Sequence, residues 1–238
     1  GRATQQDAPL ETVVRAGPGI SAESGLPTFR GAGGLWNGVR AETLATPEAF
    51  ADNPQRVLDF YNFRRAMVRE AAPNAAHQAI AALERHHPVS VVTQNVDNLH
   101  ERAGSTDVLH VHGEIMLARS SRNPGLKVPM QDQDIRLGDL ADDGAQLRPD
   151  VVWFGEAVRH IDESLDRIRE ADRFLVVGTS LQVWPVADWV HHATRAGERV
   201  IIAPELRTCP DHFEWICGTA CDEVPPIMSR WARSALAD

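Results

Sequence analysis

Short runs of β-branched and apolar residues recur along this chain, and each closes on glycine or a small polar cluster. Val13-Val14 leads into Gly17-Pro18-Gly19, Val89-Ser90-Val91-Val92 into Thr93-Gln94-Asn95, and Val108-Leu109-His110-Val111 into His112-Gly113. Val151-Val152-Trp153-Phe154 leads into Gly155, Phe174-Leu175-Val176-Val177 into Gly178-Thr179-Ser180, and Arg199-Val200-Ile201-Ile202 is a sixth run. Strands that are apolar almost throughout leave no face for water, so they predict a sheet covered on both sides. Between the runs, apolar residues recur at helical spacing over 54–70, 74–86, 161–171 and 186–196. Strand, turn and helix in repetition predict an α/β fold with a doubly wound, Rossmann-like parallel sheet. Such sheets bind ligands beyond the carboxyl ends of their strands. This chain places Gln94, Asn95, Asp97 and His112 in that class of position, and tight turns alone do not require those residue types.

At 238 residues the chain suits one large domain, or a main domain with a small insert. Residues 119–148, rich in Asp, Gly, Pro, Ser and Arg and poor in periodicity, read as that insert. With 24 basic against 33 acidic residues the net charge is -9, which gives no general attraction to nucleic acid or anionic lipid. No apolar run approaches the length of a membrane span, and the start shows no signal-peptide pattern. Three cysteines, all late, do not suit a disulfide scaffold, so the expected location is cytoplasmic. Cys217 and Cys221 lie four apart without a His or Cys quartet nearby, and thiols of the core or surface are the favoured reading over a metal site.

Gly17-x-Gly19 after a strand is a candidate phosphate cradle, because small residues let backbone N–H groups approach a pyrophosphate. It lacks the Gly-x-Gly-x-x-Gly spacing of a dinucleotide fingerprint, and Pro18 has no N–H to donate. With its continuation, Gly17-Pro-Gly-Ile-Ser-Ala-Glu-Ser-Gly-Leu-Pro-Thr-Phe-Arg30, it resembles the opening motif of the sirtuins, the NAD-dependent protein deacylases. Thr93-Gln-Asn-Val-Asp-Asn-Leu-His100, with Ala103-Gly104, resembles their second motif. His112-Gly113, Leu147-Arg-Pro-Asp-Val-Val-Trp-Phe-Gly-Glu156 and Gly178-Thr179-Ser180 follow in family order.

The resemblance implies a sirtuin-like catalytic region over residues 3–235, a small-domain excursion over 119–148 and a helical cofactor- and acyl-binding segment over about 29–70. It implies NAD as cofactor, contacted by Gly17, Gly19, Ser21, Ala22, Glu23, Phe29 and Arg30, with Gln94, Asn95 and Asp97 on the nicotinamide-ribose side. Gly178, Thr179, Ser180 and Glu205 fall to the adenosine half, and Val151, Trp153, Phe154 and Gly155 pair with or flank an acyl-lysine peptide. His112, with Asn95, is the implied catalytic pair: the acyl oxygen attacks the ribose carbon as nicotinamide leaves, and His112 accepts a proton from a ribose hydroxyl. Lysine and O-acyl-ADP-ribose are released. A neutral imidazole suits that step, since its pKa lies near working pH.

Tyr61 and Arg64 are three apart, hence neighbours on one helix face. Sirtuins that remove succinyl, malonyl or glutaryl groups carry a Tyr-x-x-Arg pair here, where a guanidinium and a phenol grip a distal carboxylate. Gly31-Ala-Gly-Gly-Leu-Trp36 also resembles the bacterial and mitochondrial branch.

The chain departs from the family at three places. Most sirtuins hold a structural zinc with two Cys-x-x-Cys pairs, and the matching positions here are Ser120, Asn123, Leu140 and Asp143. None is a thiolate, so no zinc is expected, and Leu126, Val128, Met130, Ile135, Leu137 and Leu140 are candidates for a small apolar core in its place. A partly mobile insert is the other reading. Pro18 stands for the usual alanine, and Ala203-Pro204 for a ribose-binding asparagine, which points to reduced NAD affinity. Two other classes compete: an NAD glycohydrolase or ADP-ribosyltransferase that retains His112, and a non-catalytic NAD or ADP-ribose sensor. Retention of Val151 to Gly155 favours an acyl-peptide groove.

Overall fold

The computed structural model describes residues 8–29, 34–181 and 186–233. In chain order the first half runs β1 (Thr12–Ala16), α1 (Pro18–Ala22), β2 (Leu35–Trp36), β3 (Val39–Arg40), α2 (Pro47–Asp52), α3 (Pro54–Glu70), α4 (Ala75–Leu83), β4 (Val89–Thr93), α5 (Leu99–Ala103) and β5 (Val108–His110). The rest comprises β6 (Gly113–Ser120), β7 (Lys127–Pro129), β8 (Leu147–Val151), α6 (Ile161–Glu170), β9 (Arg173–Val177), β10 (Glu198–Ile202), β11 (Glu214–Ile216) and α7 (Ala220–Arg233). Short 3-10 helices cover Ala41–Leu44 and Val186–His192.

Six strands form a parallel sheet in the order β11-β10-β9-β1-β4-β5. Alternation along each strand sends its side chains to two separate apolar layers. Val14 and Ala16, with Val91, Leu175 and Val177, pack against Ile80 and Leu83 of α4 and Val224 and Trp231 of α7. Val13, Val92, Phe174 and Val176 pack on the other side against Ile168 of α6 and Trp189 and Val190 of the second 3-10 helix. The expected doubly wound sheet is thus observed. The chain winds outward from β1 through β4 and β5, then returns to wind outward through β9, β10 and β11. The carboxyl end of β1 is therefore the topological switch point, where α/β sheets open a ligand crevice.

One residue sits badly in this core. Arg15 lies on the Val13 face of β1, is fully buried, and none of its three guanidinium nitrogens has a hydrogen-bond partner among the described residues. Burial without a compensating charge pushes its pKa down to about 10.

Local chemistry sets the helix starts. Pro54 opens α3 behind Asn53, whose side chain accepts from the Arg56 N–H at 3.1 Å. Asn74 caps α4 in a reciprocal box with His77, and its amide also donates to the Ile20 carbonyl and Ser24 hydroxyl, tying α4 to α1.

Several expectations change. After β1 the chain enters the short helix α1 rather than a bare turn, with Pro18 in its first turn, where a missing N–H costs nothing. The segment after 186 is a 3-10 helix ending at His192, because the Arg199 guanidinium takes the Ala193 and Thr194 carbonyls. The run 151–154 is not a strand of the main sheet. Its strand, β8, ends at Val151 and pairs antiparallel with β6. Beyond it the Trp153 and Phe154 N–H groups go to the Glu156 carboxylate and the Ala45 carbonyl. The region 119–148 belongs to a three-stranded antiparallel sheet, β7-β6-β8, whose first strand already starts at Gly113. Of the six residues expected in its core, Met130 and Ile135 are buried, joined by Leu58, Ala118, Ala141 and Leu147. Val128, Leu137 and Leu140 are 39%, 49% and 59% exposed.

Candidate active site

The floor of the crevice is made where β1, β4 and β9 end together. The Gly17 N–H donates to the Val177 carbonyl at 2.9 Å, Gly19 to Gly178 at 2.8 Å, and Gln94 to Ala16 at 3.0 Å. A Cβ on Gly17 would lie 2.6 Å from the Gly178 oxygen, so the two loops meet at a distance that only glycine allows.

On this floor Asn95, Ser21 and Asp97 form a buried polar chain. The Asn95 amide donates to the Gly17 carbonyl at 2.9 Å and to the Ser21 hydroxyl at 3.2 Å. Ser21 in turn donates to Asp97 at 2.7 Å, and Asp97 also accepts the Leu99 N–H at 3.0 Å. Gln94 is equally buried, yet its side-chain carbonyl oxygen has no partner among the described residues. A buried acceptor left open beside a cavity is suited to a ligand's N–H or hydroxyl donor.

His112 stands half-buried between the two sheets. Its carbonyl accepts the Val152 N–H at 2.8 Å. Gly113 follows at φ 88°, and a Cβ there would run into the Asp150 carbonyl oxygen, so this crossing of β6 over β8 requires glycine.

The far end of the cavity is aromatic. Tyr61 is buried, and its hydroxyl accepts the Trp153 indole N–H at 3.1 Å. The Arg64 guanidinium lies 5.4 Å from the Tyr61 ring centroid, 5.4 Å from Phe29 and 5.6 Å from Phe60. Burial pushes the Tyr61 phenol up and the Arg64 guanidinium down, each partly countered by the other. Phe29 itself has φ 54°, a left-handed conformation costly for an aromatic residue, and an edge-on contact with Phe60 at 5.2 Å helps hold it. Trp153 is fixed from behind by Arg148, whose guanidinium carbon sits 3.6 Å from its ring centroid and whose nitrogens donate to Glu156 at 2.8 and 2.9 Å.

These groups share one cavity of about 380 Å³, within the range of small-molecule sites. It brings together Ser21, Phe29, Tyr61, Arg64, Gln94, Asn95, Asp97, His112, Val151, Trp153, Phe154 and Gly155. Gly17, Gly19, Gly178 and Thr179 lie against its floor without lining it. Ala22, Ser180 and Glu205 are exposed and do not line it. Glu23 is used elsewhere, accepting the Ala220 and Cys221 N–H groups at the start of α7. Arg30 lies outside the described residues. The expected pairing of 151–155 with a peptide strand is restricted, because the Val152, Trp153 and Phe154 N–H groups are already taken. Flanking remains: Phe154 is 63% exposed at the cavity mouth. Leu26, Met67 and Glu156 line the cavity without having been singled out. Met67 follows Arg64 by three residues, so the helical stripe already contained that signal.

The positions matching the zinc ligands do not fit the ion. The Ser120 hydroxyl donates to Asp143 at 2.6 Å and accepts the Arg122 and Asn123 N–H groups at 3.1 Å each. Asp143 also accepts from Ala145, and Asn123 from Gly125, while the Leu140 side chain offers no ligand atom. The donors are spent on closing the two turns, and the Ser120 hydrogen bond holds the Asp143 carboxyl below its ordinary pKa. A chelator is therefore expected to leave the thermal midpoint unchanged, whereas Ser120→Ala lowers the urea midpoint modestly, because the buried hydroxyl that closes both turns is lost while its exposed partners turn to water. A melting curve with and without chelator, and urea unfolding of the variant, check both. A chelator-induced drop in the midpoint would show a metal-dependent fold.

The Sir2 family model matches residues 17–185. An NAD-dependent protein deacylase from Helicobacter pylori strain J99 is 46% identical over 220 residues, covering 92% of this chain and 94% of that protein. One from Aggregatibacter actinomycetemcomitans is 48% identical over 197 residues, covering 82% and 94%. Among solved structures, a Sir2 homologue–NAD complex superposes with a TM-score of 0.83 at 38% identity, covering 92% of this chain and 88% of that one. A Sir2 homologue variant in complex with 2'-O-acetyl ADP ribose gives a TM-score of 0.83 at 36% identity, covering 95% and 94%. On sequence and structure alike, the chain belongs to the Sir2 family, whose activity is NAD-dependent protein deacylation.

Proposed function

We propose that this chain removes acyl groups from protein lysine in an NAD-dependent reaction, and that its preferred acyl groups carry a distal carboxylate. The observation that carries the second half is the position of Arg64. Among the described residues it is the guanidinium lining the cavity that also holds His112, it lies beside the Tyr61 hydroxyl, and aromatic rings surround it. A succinyl or malonyl carboxylate at that end would gain a charge-assisted pairing in an apolar setting, where such a pairing is strong.

Gln94, Asn95, Asp97 and Ser21 would hold the nicotinamide-ribose side of NAD, with Gln94 supplying the open acceptor. Phe29 would cover it, and the Gly17, Gly19, Gly178 and Thr179 backbone would admit the phosphates. Bound NAD supplies an electrophilic sugar carbon. His112 accepts a proton from a ribose hydroxyl on a ring nitrogen, and Asn95 holds the loop facing it. Trp153 positions the Tyr61 hydroxyl, and the exposed Phe154 ring flanks the substrate chain.

The test is incubation with NAD and acetyl-, succinyl- and unmodified-lysine peptides, with products resolved by mass. O-acyl-ADP-ribose formed only with acylated peptides supports deacylation, and free ADP-ribose formed without peptide replaces it by hydrolysis. Arg64→Ala is expected to cut kcat/KM for the succinyl peptide at least tenfold, about 1.5–3 kcal/mol, while the acetyl peptide changes less than threefold. Equal losses on both would remove Arg64 from carboxylate recognition.

A further inference from the structure

Two residues before His112, a second histidine is buried beside the cofactor loop. His110 ends β5 in register with Thr93 of β4, and is 5% exposed. Leu109 and Val111 point into the apolar layer beside α6, so alternation sends His110 to the opposite side. There its Nδ1 lies 3.0 Å from the Asn95 carbonyl oxygen and its Nε2 lies 2.7 Å from a Glu101 carboxylate oxygen. A Glu114 oxygen lies 3.9 Å from the same Nε2.

Both ring nitrogens thus face acceptors. A neutral imidazole carries one N–H and satisfies one of them, and only the imidazolium donates to both. Burial opposes the charge. The Glu101 hydrogen bond and charge, the Asn95 carbonyl and the Glu114 charge outweigh it, so His110 sits above its ordinary value. Among the described residues, His100 of α5 also interacts with it electrostatically, and burial drives His100 down to about 3, so that it stays neutral.

We infer that His110 is a positioning residue, an imidazolium strut between the Glu101–Glu114 carboxylates and the Asn95 carbonyl that holds the Gln94-Asn95 loop in its NAD-binding shape. This rests on the cofactor role given above to Gln94 and Asn95. The Asn95 side chain is already committed to Gly17 and Ser21, so the carbonyl is the part of this residue left for His110 to hold. The strut acts through Asn95 and touches no reacting atom.

The sign of the pH effect follows. A group with a raised pKa contributes fully at low pH and loses its contribution as pH rises through that value. The strut therefore fails on the alkaline side, whereas a general base produces the acidic limb.

The experiment is steady-state deacylation of an acetyl-lysine peptide with NAD varied, across pH, for the native protein and for His110→Phe, His110→Asn and Glu101→Gln. Asparagine keeps a donor where Nδ1 stands. Expected results are a KM for NAD raised about tenfold in H110F, kcat within threefold, and recovery to within threefold of native in H110N. In E101Q the alkaline fall in kcat/KM for NAD moves to lower pH, and in H110N that fall is lost. Equal impairment of H110F and H110N, or an alkaline limb in E101Q identical to native, overturns the inference. E101Q leaves the ring in place, so it decides the matter even where H110F does not fold. Absence of turnover in the native protein would count against the deacylase reading instead.

Discussion

Replacing His112 with alanine is expected to lower kcat for deacylation about 100- to 10,000-fold, the usual worth of a positioned general base. The thermal midpoint and the KM for NAD should stay close to native. The reason for the split is structural. The backbone around His112 carries the architecture: its carbonyl holds Val152, and Gly113 makes the close crossing between β6 and β8. Alanine disturbs neither. The polar chain Asn95–Ser21–Asp97 is held among its own members and by Gly17 and Leu99, so it has anchors other than the His112 ring. An interaction made only as the reaction proceeds lowers kcat and kcat/KM together. Steady-state kinetics with an acetyl-lysine peptide and a thermal melt check this. A kcat within threefold of native would take the base role away from His112.

Replacing Arg15 with methionine is expected to stabilise the protein by about 1–4 kcal/mol, the range seen when buried ion pairs give way to well-packed apolar residues. Most core substitutions destabilise, so the sign itself is the test. Arg15 is fully buried in the central strand, between Val92 and Val176 of the neighbouring strands, and its guanidinium makes no hydrogen bond among the described residues. A buried charge without a partner carries its desolvation cost uncompensated. Methionine is unbranched, of similar reach, and adapts to irregular gaps. Urea unfolding monitored by circular dichroism should show a higher midpoint with an unchanged slope. A lower midpoint would mean that the guanidinium has a bound counter-ion in solution.

The strands and helices of the main domain were legible because burial on two faces leaves a plain mark: apolar residues at nearly every strand position and a helical stripe between strands. The expected ranges 54–70 and 161–171 match α3 and α6 to within a residue. Local pattern failed where backbone partners come from far along the chain. Phe154 leaves the strand for a carbonyl more than a hundred residues earlier, and Arg199 ends the second 3-10 helix from a later strand. The small module was misread for a related reason. Its core borrows Leu58 from α3, and Leu140, apolar by type, points outward.

By itself, the sequence determined the fold class, the loops that gather at the cavity and the residue types in them, because periodicity and motif spacing are properties of the chain alone. Tertiary structure decided which of those residues face one cavity and which serve the scaffold. It set Arg64 in the same cavity as His112 and turned Glu23 to a helix start instead. It spent the Ser120 hydroxyl on the Asp143 carboxylate, left Arg15 without a hydrogen-bond partner among the described residues, and gave His110 an acceptor at each nitrogen. Those outcomes depend on where a side chain's neighbours arrive from, and contacts between residues distant in sequence are settled only when the sheet and its layers have packed.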